Sequence, residues 1–98
     1  MTYQETLQED RRLSLVLTLS ESPGYTANAF LLQTAIDRIY GHSVSMDQVR
    51  TDLAWLAEQG LMTVKVTGDV NVATLTSRGV DVAAGRSTVP GVKRPLPG

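Results

Sequence analysis

The chain has 98 residues, 42% hydrophobic and 19% charged, a net charge of −1, one histidine and no cysteine. That fits one globular domain with a modest core, neither disordered nor membrane-embedded, and without cysteine it has no disulfides, thiol chemistry or cysteine-ligated zinc. No apolar run approaches the ~18 residues of a membrane span, and Gln4, Glu5, Gln8, Glu9 and Asp10 interrupt any leader-like segment, so the expected location is the cytoplasm.

The segment Gln4 to Ser20 is predicted to be a helix. Leu13, Val16 and Leu17 form one apolar stripe at i, i+3, i+4, while Leu7, Leu15 and Leu19 lie on another side. The second stripe needs cover from the rest of the domain or from another chain. Ser22-Pro23-Gly24 ends the helix, because proline cannot continue it. A second helix is expected from Ala27 to Tyr40, with Thr26 as N-cap, Gly41 as terminator and Leu32, Ala35, Ile36 and Ile39 as its stripe.

The third helix carries the clearest start signal. Ser45-Met46-Asp47-Gln48 matches a capping box, in which the serine caps one free N–H and Gln48 reaches back to another. Asp47 also suits the positive end of the helix dipole. The helix runs to Gln59, and Gly60 stops it. Met46, Val49, Leu53, Leu56 and Ala57 share a core face; Gln48, Thr51, Trp55 and Glu58 fall opposite.

Residues 61–66 and 70–75 are rich in β-branched side chains and read as two strands joined by Thr67-Gly68-Asp69. Thr76 then caps a short helix from Ser77 to Ala84. From Gly85 onward Pro90, Gly91, Pro95, Pro97 and Gly98 mark an extended stretch, so a domain over residues 1–86 with a flexible tail over 87–98 is expected.

The order helix, helix, helix, hairpin, short helix predicts a mainly α fold with a small antiparallel β-hairpin. Two stretches resemble a winged helix-turn-helix domain. Residues 49–64, Val-Arg-Thr-Asp-Leu-Ala-Trp-Leu-Ala-Glu-Gln-Gly-Leu-Met-Thr-Val, are similar to a recognition helix entering its wing, and Leu75-Thr76-Ser77-Arg78-Gly79 resembles the wing's exit. The whole chain also resembles a small protein of Mu-like phages and prophages, through its opening residues 3–12 and its closing Val89-Pro90-Gly91-Val92-Lys93-Arg94-Pro95. The resemblance implies a phage-encoded winged-helix protein inside a bacterial host.

Charge is distributed unevenly. Residues 1–59 hold Arg11, Arg12, Arg38 and Arg50 against eight acids, giving −4, while residues 60–98 hold Lys65, Arg78, Arg86, Lys93 and Arg94 against Asp69 and Asp81, giving +3. A positive face is therefore expected to involve the C-terminal half. If the winged-helix resemblance holds, the start of the third helix meets base edges with Ser45, Asp47, Gln48, Arg50 and Thr51, and Lys65 and Arg78 meet phosphates. The scarcity of arginine on that helix, with Asp47 and Asp52 beside it, supports the other reading, a protein–protein module of phage assembly or packaging. Double-stranded DNA and a second copy of the chain are the expected partners. Leu7, Leu15, Leu19 and Trp55 are candidates for the homodimer surface, and Trp55 folding onto the hairpin is the plainer alternative for that residue. Lys93-Arg94 reads either as a phosphate-binding arm or as a solvated terminus.

Chemistry is poorly provided for. His42 stands in a connector beside Ser43 and Ser45, a setting of turn residues rather than of a nucleophile and its base. One histidine and scattered acids give no metal-ligand spacing, and Gly68 alone makes no phosphate loop. No enzyme activity, cofactor, metal, membrane or small-molecule ligand is expected.

Overall fold

A computed structural model describes residues 1–96. The elements are α1 (Tyr3–Glu21), β1 (Thr26–Asn28), α2 (Ala29–Tyr40), α3 (Met46–Glu58), β2 (Met62–Thr67), β3 (Val70–Leu75) and α4 (Ser77–Ala83). The helices pack around α1, and the strands form an antiparallel sheet in the order β1-β3-β2.

Thr2 starts α1: its hydroxyl accepts from the Glu5 amide at 3.1 Å. The helix then touches α2, α3, α4 and β3. Contact on so many sides explains its two leucine stripes. Leu15 and Leu19, expected at a dimer surface, are fully buried in the core with Val16, Leu32, Ile36, Val49, Leu53 and Leu56. Each such leucine contributes about 1.5–3 kcal/mol by leaving water, so neither is available to a partner.

The second helix starts two residues later than expected. Thr26, Ala27 and Asn28 pair with Thr74, Ala73 and Val72 of β3. The Thr26 hydroxyl donates to the Ala73 carbonyl at 3.0 Å, and the cap passes to Asn28, whose Oδ1 accepts from the Leu31 amide at 2.8 Å. Long-range pairing has overridden local helix propensity here.

Ser45 caps α3 as expected, accepting from the Gln48 amide at 3.1 Å. Only half of the capping box forms, because the Gln48 side chain turns to Asp52 instead. The hairpin pairs Met62 with Leu75 through to Thr67 with Val70, leaving Gly68-Asp69 as a two-residue turn. Gly68 has φ +61 while Asp69 stays at negative φ, the pattern of a II′ turn, which glycine at this position permits. Thr76 closes the exit: its hydroxyl accepts from the Gly79 amide at 3.1 Å and donates to the Gly60 carbonyl at 2.7 Å.

The expectation of a flexible tail from residue 87 requires correction. Val89 and Val92 are buried in the core. The Lys93 amide donates to the Glu9 carbonyl at 3.2 Å, and the Lys93 ammonium lies 3.1 Å from Asp10. This segment therefore packs back along α1 as part of the domain. Residues 97–98 of the expected tail lie outside the described residues.

Candidate nucleic-acid interface

The buried side of α3 consists of Val49, Asp52, Leu53 and Leu56. Ser45, Asp47, Thr51, Ala54 and Glu58 are exposed on the other side, with Gln48 and Arg50 half-buried at its flanks. The helix thus presents its first two turns to solvent, held from behind by the core.

Asp47 and Arg50 approach to 3.8 Å, with the Asp47 side chain 96% exposed. So long and exposed an ion pair leaves the guanidinium free to find a stronger anion. Thr51 donates its hydroxyl to the Asp47 carbonyl at 2.9 Å, which leaves its oxygen able to accept. Lys65 on β2 and Arg78 on α4 are exposed, and neither makes an ion pair among the described residues. Arg78 lies close to Gly60, at the junction of α3 and the hairpin. The remaining cations of the C-terminal half differ in availability. Arg86 is bound to Asp81 at 2.9 Å and Lys93 to Asp10, whereas Arg94 is exposed.

Asp52 does not face solvent as expected. It is 1% exposed and accepts from Arg11 Nε and, at 3.3 Å, from Arg11 Nη2, a two-pronged pair between α1 and α3. Sequence reasoning missed this pair because its members are 41 positions apart. Its trace was present: Arg11 precedes Leu15, and Asp52 precedes Leu56, by one turn on a core-facing side. Opposite charges at core positions of two helices signal a buried pair.

Trp55 packs against Arg12 of α1 and Gly91 of the segment after α4. It is half-buried beneath Arg12, whose Cζ is 3.7 Å from the ring centroid. Of the four dimer-surface candidates, only Leu7 and part of Trp55 remain at the surface. Larger exposed apolar side chains lie elsewhere, among them Tyr25, Phe30 and Leu31 around the start of α2, Ile39 near its end and Val66 on β2.

His42 is buried, with Nε2 2.7 Å from Asp10 Oδ2. Burial pushes the Asp10 carboxyl up, but hydrogen bonds and charge from His42 and Lys93 outweigh it and hold the group below its ordinary value. The cluster ties the connector after α2 to α1 and to residue 93. No group of three or more His, Asp or Glu gathers among the described residues, and no helix there is long and apolar enough to cross a membrane.

No protein-family model matches the sequence. The chain is similar to RosR of H. salinarum, with a TM-score of 0.67 at 19% identity over 76% of this chain, and to RosR in the RosR-S4 complex, with a TM-score of 0.65 over 74%. It spans slightly less than two thirds of those chains, 66% and 62% respectively. This likeness establishes the winged-helix fold. In sequence, the chain is 43% identical to an uncharacterised Haemophilus influenzae protein over 79 residues, covering 80% of this chain and 76% of that one. It is 50% identical over 93 residues to the uncharacterised protein gp26 of Escherichia phage Mu, covering 95% of both chains. On that identity and coverage, the protein belongs to the family of Mu phage gp26, and it is built as a winged helix.

Proposed function

We propose that this chain is a non-enzymatic, phage- or prophage-encoded DNA-binding protein acting in transcriptional control or DNA handling. It seats the start of α3 in the major groove and lays the hairpin along the neighbouring backbone. The observation that carries this reading is the placement of α3: the outer side of its first two turns faces solvent while Val49 and Leu53 anchor its inner side in the core, with Arg50 loosely held and Lys65 and Arg78 unpaired among the described residues. A winged helix directs those positions at bases and phosphates. The burial of Asp52 against Arg11 strengthens it, since that carboxylate no longer opposes a phosphate. His42 is buried and engaged by Asp10, which argues against a role in catalysis.

The test is fluorescence anisotropy of a labelled random duplex at low and raised salt. Binding should weaken as salt rises, and Arg50→Ala, Lys65→Ala and Arg78→Ala should each weaken it further and lower the salt slope by roughly one. Absence of binding at low salt overturns the proposal. That result would favour a protein–protein module, for which the acidic side chains Asp47 and Glu58 on α3 and the exposed Phe30 and Leu31, at 50% and 56%, are the specific support.

A further inference from the structure

The buried pair behind α3 determines which end of Gln48 faces outward. Asp52 is held against Arg11 in the core, and its Oδ1 also takes a hydrogen bond from Gln48 Nε2 at 3.3 Å. A carboxylate locked to a guanidinium is an acceptor only. Of the two ends of a carboxamide, only the NH2 can therefore face it. The Gln48 carbonyl oxygen is left to point away from Asp52, with the second N–H beside it.

We propose that Arg11 and Asp52 act as positioning residues that fix the Gln48 carboxamide to recognise adenine and reject guanine in the major groove. This inference rests on the DNA-binding reading above. Gln48 is the third residue of α3, in the part of the helix that meets base edges. Adenine offers an N6 donor beside an N7 acceptor, matching an outward carbonyl and its neighbouring N–H. Guanine offers O6 and N7, both acceptors, so the fixed carbonyl meets a lone pair. A free glutamine could rotate its amide to suit; one tethered at Nε2 must first break its bond to Asp52. The Arg11–Asp52 pair thus acts on base choice without touching DNA.

The experiment is selection of bound sequences from a randomised duplex pool, followed by competition between duplexes carrying adenine or guanine at the selected position. The wild-type protein should enrich adenine at one position and discriminate against guanine by roughly tenfold or more. Gln48→Ala should abolish that ratio. Asp52→Asn leaves a single acceptor oxygen, for which Arg11 and Gln48 compete, and puts an NH2 in place of the other, so the Gln48 amide is no longer fixed by its Nε2 and can turn; it should lower the adenine-to-guanine ratio more than it lowers overall affinity. A purely structural role for Asp52 would lower affinity for both duplexes alike. If Asp52→Asn fails to fold, the paired change Arg11→Met with Asp52→Leu, which removes the acceptor without leaving an unpaired charge, takes its place: it should lower the adenine-to-guanine ratio in the same way, and an unchanged ratio overturns the inference. Retained binding with no adenine preference, or with a preference that survives Gln48→Ala, overturns the inference and leaves DNA binding standing. Absence of any binding from the pool at low salt overturns both.

Discussion

Arg12 lies over the indole of Trp55, its Cζ 3.7 Å from the ring centroid, and its Nη1 donates to the Gly91 carbonyl at 3.0 Å. One side chain of α1 thereby fastens α3 and the segment after α4 together. Burial holds the guanidinium below its ordinary value, with Asp52 opposing that shift. The stacking is partly screened from water, where such contacts are worth about 0.5–2 kcal/mol.

Gly91→Ala should loosen this arrangement. A Cβ at residue 91 would stand 2.8 Å from the Trp55 ring and 3.0 Å from Arg12 Nη1, and the backbone there has φ +95. Left-handed strain and the clash together should cost about 1–3 kcal/mol. Trp55 is the single tryptophan, so its emission reports on this contact alone. The expected result is a red-shifted emission maximum in the native state and a lower urea midpoint. An unchanged spectrum would mean that the segment does not cover the indole.

Asp52→Ala should be among the most damaging single changes in the chain. It leaves the Arg11 guanidinium, about 10% exposed, without its partner. Removing one member of a buried pair costs about 3–5 kcal/mol, whereas replacing both with apolar residues of similar volume is often neutral. Urea unfolding should therefore show a large loss for Asp52→Ala and a much smaller one for the double change Arg11→Met with Asp52→Leu. Equal losses would show that the pair contributes more than its burial requires.

The helices and hairpin were legible because their signals are local. Ser45 caps with its own hydroxyl, and Val70–Leu75 carries its β-branched pattern within six residues. What escaped depends on distant partners. The strand Thr26–Asn28 exists only because β3 lies beside it, so Thr26 looked like a helix cap. Leu15 and Leu19 looked surplus because a helix wheel cannot show that α1 is covered on several sides. Proline and glycine near the end suggested a loose tail, although Val89 and Val92 carried the apolar content to dock it. At the candidate interface, Ser45, Asp47, Thr51, Lys65 and Arg78 are exposed, while Gln48 and Arg50 are half-buried. The Arg11–Asp52 pair depended on how α1 crosses α3.

Acid should weaken the contact between α1 and residue 93. Asp10 is held below its ordinary value of 3.8 in the folded chain, against the effect of its own burial, by His42 and Lys93. A lowered folded-state value means that the unfolded chain takes up the proton first as pH falls. The stabilisation is then fully present above 3.8, declines below it, and is gone once pH has passed the folded-state value. Asp10→Asn should melt at a lower temperature than wild type near neutrality, and the gap should close across that acid window. A gap that stays constant with pH would show that Asp10 contributes by packing rather than by charge.

Gly79→Ala tests how closely α4 sits on the hairpin. In an exposed helix this change stabilises by about 1 kcal/mol, because alanine is the better helix former. Here the added Cβ would stand 2.1 Å from the Leu61 carbonyl oxygen and 2.6 Å from Leu75 Cδ1. That oxygen cannot retreat freely, since it accepts from the Thr76 amide at 3.0 Å and so ties the start of α4 to the start of β2. Overpacking against a fixed backbone typically costs about 1–3 kcal/mol, and with so close an approach the upper end applies, so after the propensity gain a net loss of about 2 kcal/mol is expected. Urea denaturation gives the sign directly. Stabilisation would mean that α4 can slide away from Leu61, and the wing would then be only loosely joined to the domain.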